Sequence, residues 1–543
     1  MKKLIVFLTI ITAGIVTAQT GRLSGGYESY LQYYQNDEPT NFLAPKDLLR
    51  SMNYFNVQYS QDNFSAGLQY EAFLPKAFLG YNPDMKGNGL ATYFVNYKKD
   101  NLDVTAGYFY EQFGSGLVFR AWEDRQLGIN NAVRGLRVKY KFDDFADFTA
   151  FFGNQRLGFE LTESTVYAAN TDISLDNLLK LKNIQLKTGF SYAARYQDIE
   201  SSNTNVQPIV GNYSSRIDLT AGNFYSNFEY VYKEPDMRVS NGVQLDEVLF
   251  DGNAWLWNFG YSKKGIGLNA TLRRIENIQM YGDKMLEGNL YNAGVMNFVP
   301  GLTKQHDFSL ANIYVYQAQP GISFGEKKAG EIGGQFDLYY RFKRKSFIGG
   351  KYGAKLAVNY SRWHGLDATF DNAKQIYRAK FTGTGDLYFQ DFNLELRKKL
   401  SKKLKTIVSF IDIKYNKLKL EGEGEMVHAN IAVADFELKL AKKRSTRLEL
   451  QHLSTQEDMK NWVAGLFEFN FNHNFNMYLG DMYNYGNDTE KVHYFNIGAT
   501  YNKSSTRLSL NYGRQRGGLL CVGGVCRYVP PSKGLTLSMS VSF

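Results

Sequence analysis

The chain has 543 residues, among them 39 Tyr, 39 Phe and 50 Gly but only 10 Pro. This composition favours many strands joined by tight turns over a helical fold. Mean hydropathy is -0.38, and beyond the N-terminus there is no apolar run of about 18 residues, which excludes a helical membrane protein. The net charge of +10 falls to +8 without Lys2 and Lys3. Because the charges are interspersed, they predict a solvated surface and no nucleic-acid partner.

The first residues have the pattern of a secretory signal peptide. A basic start at residues 2–3, an apolar core over 4–16 and a small-residue cleavage site ending at Ala18 precede Gln19. The core is too short for a membrane anchor, and no Cys follows the cleavage site as it would in a lipoprotein. We therefore predict a signal peptide over 1–18 and a single mature domain over 19–543.

From the first predicted strand, 21–34, to the C-terminus, apolar and polar residues alternate with period two. In the segment 507–515, for example, Leu508 and Leu510 fall on one face while Ser509 and Asn511 fall on the other. A soluble sandwich alternates in the same way, with its polar face in water. Segments of about ten residues and an alternation of short and long connections favour a transmembrane barrel instead. The predicted fold class is an all-β, antiparallel, up-and-down outer-membrane β-barrel.

Short turns rich in Asn, Asp and Gly are expected at the periplasmic end, and long loops at the outer end. The predicted turns lie at 61–63, 99–101, 143–144, 182–183, 222–223, 263–265, 303–304, near 345, and at 401–403, 443–445, 473–474 and 504–505. The longer connections are predicted near 35–50, 74–88, 112–133, 155–165, 198–213, 234–253, 277–292, 318–331, 363–384 and 515–533. These turns give about 26 strands, or about 24 if the weak segments 166–178 and 292–302 are dropped.

The last strand carries the most specific pattern in the chain. Its apolar positions alternate with Gly, Thr and Ser, and they are Leu535, Leu537, Met539, Val541 and Phe543. A terminal amphipathic strand that ends in Phe resembles the signal read by the barrel-insertion machinery of the outer membrane. It predicts outer-membrane lipid and that machinery as partners, and it places both termini in the periplasm.

The connection near 112–133 is the first candidate site. It carries charges of both signs and an aromatic residue, and the candidates are Arg120, Trp122, Glu123, Asp124, Arg125 and Arg134. Folded into the lumen, these side chains could form a constriction that selects ions or solutes. The alternative is a salt-bridged loop that only plugs the barrel.

Charged residues at the polar positions of the strands form the second candidate. They should face the interior, because charges facing lipid are costly. They are Arg137, Lys139, Asp391, Glu395, Arg397, Asp435, Glu437 and Lys439. A polar conduit and a network that rigidifies a plugged barrel are both compatible with this pattern, and the sequence leaves the choice open.

Cys521 and Cys526 are the only cysteines. In an exported protein they predict a local disulfide, which would stiffen the last outer loop for stability or for contact with a partner. Two Cys and six scattered His provide no metal-ligand spacing, so we predict no cofactor. Neither a Gly-x-Ser-x-Gly elbow nor a His-Glu-x-x-His motif occurs, and we predict no enzymatic activity.

Three of these features together carry a family resemblance. They are the cleavage site Thr17-Ala18-Gln19, the stretch Tyr108-Phe-Tyr-Glu-Gln-Phe-Gly-Ser-Gly116 and the terminal Phe543. With the Tyr-, Asn- and Lys-rich strands, they resemble an uncharacterised outer-membrane β-barrel family of the Bacteroidetes. The resemblance spans nearly the whole mature chain and implies fold and location, but it transfers no functional residues.

The functional expectation follows from the size of the barrel. The first strand at 21–34 leaves no room for the plug domain of a TonB-dependent receptor. A barrel of about 24 strands has a wide lumen, which its own loops or a partner must fill. We expect a channel or transporter with a loop-constricted lumen. The alternative is a noncatalytic subunit or scaffold of an outer-membrane assembly, secretion or surface-protein complex, with a protein partner.

Overall fold

The computed structural model describes residues 21–240, 243–286, 289, 291–489 and 491–543. The predicted signal peptide lies outside these residues. Within them, twenty-four long antiparallel strands form a single closed barrel. The first strand pairs with the last from Gly26 opposite Ser542 to Gln35 opposite Lys533. The predicted fold class is therefore confirmed.

The bounds of the barrel strands are Arg22–Gln35, Leu49–Gln61, Phe64–Lys76, Lys86–Lys99, Leu102–Phe109, Val133–Phe142, Ala146–Leu157, Thr165–Ser174, Ile184–Tyr196, Ile209–Ala221, Phe224–Ser240, Val243–Lys263, Ile266–Glu276, Gly330–Phe342, Ala354–Asp371, Ile376–Lys399, Leu404–Asn416, Met426–Ala441, Arg444–Ser454, Trp462–Asn470, Phe475–Tyr483, His493–Lys503, Thr506–Gln515 and Ser532–Ser542. Short strands occur at Gln112–Phe113, Phe119–Arg120, Glu123–Asp124, Ile129–Asn130, Glu160–Leu161, Gly518–Val522 and Val525–Val529. The helices are short, at Glu38–Thr40, Leu175–Leu178, Leu310–Asn312 and Lys417–Glu421. No helix in the described part of the chain is long and apolar enough to cross a membrane.

Tight turns define one end of the barrel. Asp62 and Asp100 both have φ of 51° and Asp143 has φ of 48°, the left-handed conformation that short polar residues tolerate in turns. The same end carries both ends of the described chain, because the Gly25 amide donates to the Phe543 carbonyl over 2.9 Å. We call it the terminal end, and the opposite one the loop end.

The outer face of the barrel is apolar. Leu448 and Leu450 on one strand, and Leu508 and Leu510 on another, are 40 to 50 % exposed, although nothing in a water-soluble fold would favour such exposure. Leu535 of the last strand is exposed in the same way. The predicted alternation is thus confirmed, and the closed sheet pairs its backbone groups internally as lipid requires.

The number of strands agrees with the lower predicted count of about 24, but one of the two segments left out of that count does form a strand. The lower count leaves out the weak segment 166–178, but this segment contains the strand Thr165–Ser174, paired on both sides. The missing strands are instead those predicted on either side of the turn at 303–304. The described residues between 277 and 329 enter the lumen, where the side chains of Met296, Leu310 and Tyr316 are fully buried. Pro300 also lacks the amide that a central strand needs.

Two predicted long loops are also corrected. The connections near 234–253 and 363–384 are mostly strand, because the hairpin arms on each side continue to residues 240 and 371. The two extended hairpins pack against each other, with the rings of Phe250 and Tyr377 stacked at 5.3 Å. Arg238 donates to the side-chain carbonyl of Gln375 over 2.8 Å. Contacts between the hairpins hold these residues extended beyond what turn composition alone indicates.

Two chain segments fill the lumen, and we refer to residues 110–132 and the described residues of 277–329 as the plug. One buried apolar cluster joins the first segment, through Phe113 and Phe119, to Met280 and Met296 of the second. A separate cluster packs the second segment, through residues 308–316, against the inner faces of the strands between 354 and 464. The core of the protein therefore lies inside the barrel, where apolar residues of the plug pack against apolar residues on the inner faces of the strands.

A disulfide-linked hairpin covers the plug at the loop end. Cys521 is bonded to Cys526, which confirms the predicted disulfide, and the hairpin arms are Gly518–Val522 and Val525–Val529. The Gly301 amide of the plug donates to the Gly524 carbonyl over 2.7 Å. The guanidinium of Arg527 donates to the carbonyl of Gln126 over 2.7 Å. The hairpin thus contacts both segments of the plug.

Candidate functional site

The first plug segment is folded into two small hairpins. Residues 112–113 pair with 119–120, and residues 123–124 pair with 129–130. At the tip, Gly114 has φ of 53°, and a Cβ there would lie 2.6 Å from the side chains of Arg216 and Glu229. The next amide, of Ser115, donates to the Glu229 carboxylate over 3.0 Å. Glycine lets the tip approach the barrel wall closely enough for this anchor.

Arg120 and Trp122 join the two plug segments. The Arg120 guanidinium lies 4.0 Å from the ring centroid of Phe298 and 5.1 Å from that of Trp122. The Arg120 amide also donates to the Met296 carbonyl over 2.8 Å. Burial lowers the pKa of Arg120, and the two aromatic faces provide the cation–π contact that offsets its desolvation.

Glu123, Asp124 and Arg125 lie together beside a cavity. Arg125 forms ion pairs with Glu28 at 2.7 Å and with Glu123 at 3.0 Å. Burial would lower the pKa of Arg125, but the carboxylates of Glu123 and Glu28 outweigh it and raise that pKa. Asp124 accepts a hydrogen bond from the amide of Leu127 over 2.9 Å. Arg125 therefore ties the plug to the barrel wall.

Arg134 lies elsewhere. It shares the register of the exposed Leu136 on the strand Val133–Phe142, whereas its neighbour Val133 is fully buried in the lumen. Its side chain is on the outer face of the barrel, next to Tyr108. The structure thus brings together five of the six predicted residues of this connection and separates the sixth, because the strand begins before it.

Two polar cavities meet along the strand Phe64–Lys76. One, toward the loop end, has a volume of about 340 Å³ and is lined by Glu71, Glu123, Arg125 and Arg156 among others. The other, toward the terminal end, has a volume of about 450 Å³ and is lined by Gln69, Thr105, Tyr110 and Arg137 among others. Gln69 and Glu71 are successive inward positions of one strand, so the two cavities are one side-chain layer apart.

Four side chains separate these cavities, and we call Gln69, Tyr110, Glu123 and Asn130 the closing cluster. Gln69 donates to Glu123 over 3.1 Å. The Tyr110 hydroxyl donates to Asn130 over 3.1 Å and lies 3.5 Å from Glu123. Burial, with the Glu123 carboxylate adding to it, raises the pKa of Tyr110. The hydroxyl therefore remains a donor across the physiological range.

A buried ion pair supports the closing cluster from the wall. Arg156 and Glu71 are bonded at 2.5 Å, with only 3 % and 2 % of their side chains exposed. Gln69 also donates to Glu71 over 2.7 Å. Sequence reasoning missed this pair, because the two residues lie on strands that are not neighbours. Arg156 was also predicted to lie in the connection near 155–165, whereas it belongs to the strand Ala146–Leu157 and its side chain is buried.

Most of the predicted inward charges are paired. Arg137 contacts Glu111 at 3.3 Å, and Lys139 contacts the same carboxylate at 2.6 Å. The remaining pairs of this set are Arg397 with Glu395, Asp435 with Arg447 and Glu437 with Lys405. Among the described residues there is no group of three or more His, Cys, Asp or Glu side chains that could hold a metal ion.

Comparison with known proteins identifies one sequence family and several barrels. The family described as "Family of unknown function (DUF6029)" matches residues 1–543. No curated protein matches the chain. The siderophore receptor PirA from Pseudomonas aeruginosa is similar in structure, with 9 % identity, a TM-score of 0.43 and coverage of 97 % of this chain and 82 % of that one. The outer membrane protein OpdK from the same species has 9 % identity, a TM-score of 0.38 and coverage of 97 % and 100 %.

Proposed function

The chain belongs to the DUF6029 family of unknown function, and from its own geometry we propose that it is an outer-membrane channel or transporter that its plug closes. The apolar outer face and the closed sheet support the location, since only closed barrels and helices satisfy the backbone in lipid. By the rule that turns are periplasmic and loops are external, the terminal end faces the periplasm.

The observation that carries the proposal is the junction of the two cavities. Their volumes, about 340 and 450 Å³, suit small solutes. The wall between them consists of polar contacts, and when these separate, water can take the place of each partner. The apolar clusters of the plug, by contrast, can remain packed while this wall opens.

Opening requires that Glu123 part from Gln69 and that Tyr110 part from Asn130. A neutral hydrogen bond contributes about 0.5–1.5 kcal/mol and a bond to a charged group about 1.5–3 kcal/mol. The hydrogen bonds of the closing cluster therefore favour the closed state by a few kcal/mol. Glu123 and Asn130 both belong to the hairpin 123–130, so a shift of that hairpin opens the wall. The same shift separates Arg125 from Glu28 and the carbonyl of Gln126 from Arg527.

Conductance of the full chain in a planar bilayer tests the proposal. Tyr110→Ala should raise the ion conductance above that of the wild type, because it removes the ring and the hydroxyl from the wall. Tyr140→Ala is the matched control, since Tyr140 faces outward and is similarly exposed. If Tyr110→Ala and Tyr140→Ala give the same conductance as the wild type, the junction is not a conduit.

A second candidate function is favoured by the amount of apolar packing in the lumen. Two buried clusters hold the plug, and such packing suits a noncatalytic scaffold of a membrane complex. We propose this function only as the alternative. Purification of the tagged protein from native membranes in mild detergent would distinguish them, because a scaffold should retain a stoichiometric protein partner.

A further inference from the structure

A large basic cavity opens at the terminal end, away from the closing cluster. It has a volume of about 1090 Å³, and eleven Lys and Arg side chains but only four Asp and Glu side chains line it. Clefts with an excess of one charge and low-dielectric walls concentrate ligands of the opposite charge. The surface that carries this excess of positive charge is concave and faces the lumen.

Three of its cations stand in a row across neighbouring strands. Arg341 lies directly opposite Lys355, and Lys355 lies directly opposite Arg397. All three occupy inward positions, because the alternate residues Tyr340 and Leu394 are exposed on the outer face. Like charges directly opposite each other destabilise a sheet, so this row needs a compensating anion.

The protein does not supply enough compensation. Arg397 is paired with Glu395, but within the described residues neither Arg341 nor Lys355 forms an ion pair. Two further cations of the lining are paired, Lys405 with Glu437 at 2.8 Å and Arg447 with Asp435 at 2.7 Å. The carboxylates that line the cavity therefore neutralise only part of its positive charge.

The plug closes the inner end of this cavity. Lys304 and His306 line it from the plug side, and His306 is held there by a 2.6 Å contact between its Nε2 and the Asn393 side chain. A cavity closed at one end suits a small ligand better than a polymer that must pass through. Since the lining charges face the lumen, lipid headgroups outside the barrel do not reach the row.

We propose that this cavity binds a small multivalent oxyanion, such as a molecule with several phosphate groups, across Arg341, Lys355 and Arg397. Strands lie about 4.8 Å apart, so the row spans roughly 10 Å and matches two or more anionic groups of one ligand. Lys304 adds a fourth cation from the plug. The proposal does not depend on conduction, because the cavity is open in the closed barrel.

Calorimetric titration of the full chain in nonionic detergent with inorganic tripolyphosphate tests this site. The wild type should bind tripolyphosphate more tightly than monophosphate at low ionic strength, and binding should weaken in about 1 M salt, where the Debye length is ~3 Å. Lys355→Gln and Arg341→Gln should each weaken tripolyphosphate binding by about tenfold. Lys402→Gln, at the same end but outside the cavity lining, should not change it.

Several results would overturn the proposal. They are the absence of tripolyphosphate binding by the wild type, equally tight binding of monophosphate, and a loss of tripolyphosphate binding in Lys402→Gln as large as that in Lys355→Gln. A thermal unfolding measurement tests the alternative that the row affects only the stability of the barrel. If Lys355→Gln raises Tm by relieving repulsion but leaves tripolyphosphate affinity unchanged, the row is not a binding site. Tripolyphosphate binding together with unchanged conductance in Tyr110→Ala would reject the channel and retain this site.

Discussion

Removal of Arg156 should release the closing cluster by leaving a buried carboxylate without its cation. Arg156 and Glu71 are almost completely buried and bonded at 2.5 Å. In Arg156→Met, Gln69 remains the one side-chain partner of Glu71 among the described residues. Breaking a buried ion pair by removing one partner costs about 3–5 kcal/mol. We expect Arg156→Met to lower the free energy of unfolding by about that amount.

The double variant Glu71→Leu with Arg156→Met provides the matched control. Replacing both members of a buried pair by apolar side chains of similar volume is about neutral or stabilising. The double variant should therefore recover most of the loss, with a coupling of about 3 kcal/mol between the two positions. Its conductance should stay near that of the wild type, whereas Arg156→Met should conduct more.

Equilibrium unfolding by urea in detergent measures the free energy of unfolding. Intrinsic fluorescence follows the transition, because Trp122 lies in the plug. The free energy follows from linear extrapolation. The reasoning is refuted if Arg156→Met lies within about 0.5 kcal/mol of the wild type, as an exposed substitution would. It is also refuted if the double variant is as unstable as the single one, since the charge left unpaired would then not be the cause.

Three further predictions concern the plug and the disulfide-linked hairpin that covers it. Replacing both Cys521 and Cys526 by Ser should lower the local stability of the hairpin by about 2 kcal/mol, because the ring that the disulfide closes is small. In limited proteolysis with mass mapping, residues 518–529 should be cleaved earlier than in the wild type. Unchanged cleavage would contradict this prediction. Phe298→Ala should lower plug stability by about 2 kcal/mol through lost burial and lost contact with Arg120, while Phe298→Leu should keep most of it, as measured by Tm. Burial lowers the pKa of His306 below its usual 6.5, so the fold favours the neutral ring. The stability that it contributes is present above about pH 6.5 and decreases as pH falls below that value. Tm should decrease accordingly on acidification, and His306→Gln should flatten that part of the profile; an unchanged profile in His306→Gln would exclude this source.

The alternation of the strands could be read directly from the sequence. Leu508 and Leu510 are apolar every second residue, and because side chains of a strand alternate between faces, this alone predicts the outer belt. Asp62 and Asp100 marked short turns because short polar residues tolerate the left-handed conformation. Cys521 and Cys526 are close enough in sequence for their pairing to need no knowledge of the fold.

The closing cluster could be predicted only in part. Glu123 and Arg125 stood out because a charged connection between two strands is unusual. Gln69 and Tyr110 carry no such mark, since each is an ordinary polar or aromatic residue of a strand or its end. Their role depends on which side chains a loop meets after it folds inward, and those partners lie far away in the sequence.

The sequence by itself determined that this protein is a closed barrel with an apolar exterior, since period-two alternation and turn chemistry act locally. It did not determine which apolar residues face lipid and which face the lumen. The segments on either side of residues 303–304 were predicted to be barrel strands, yet Met296 and Tyr316 are buried inside the barrel. Closure of the barrel makes the lumen a second apolar environment. Only the tertiary structure decides which of the two a segment enters, because the hydrophobic effect has no direction.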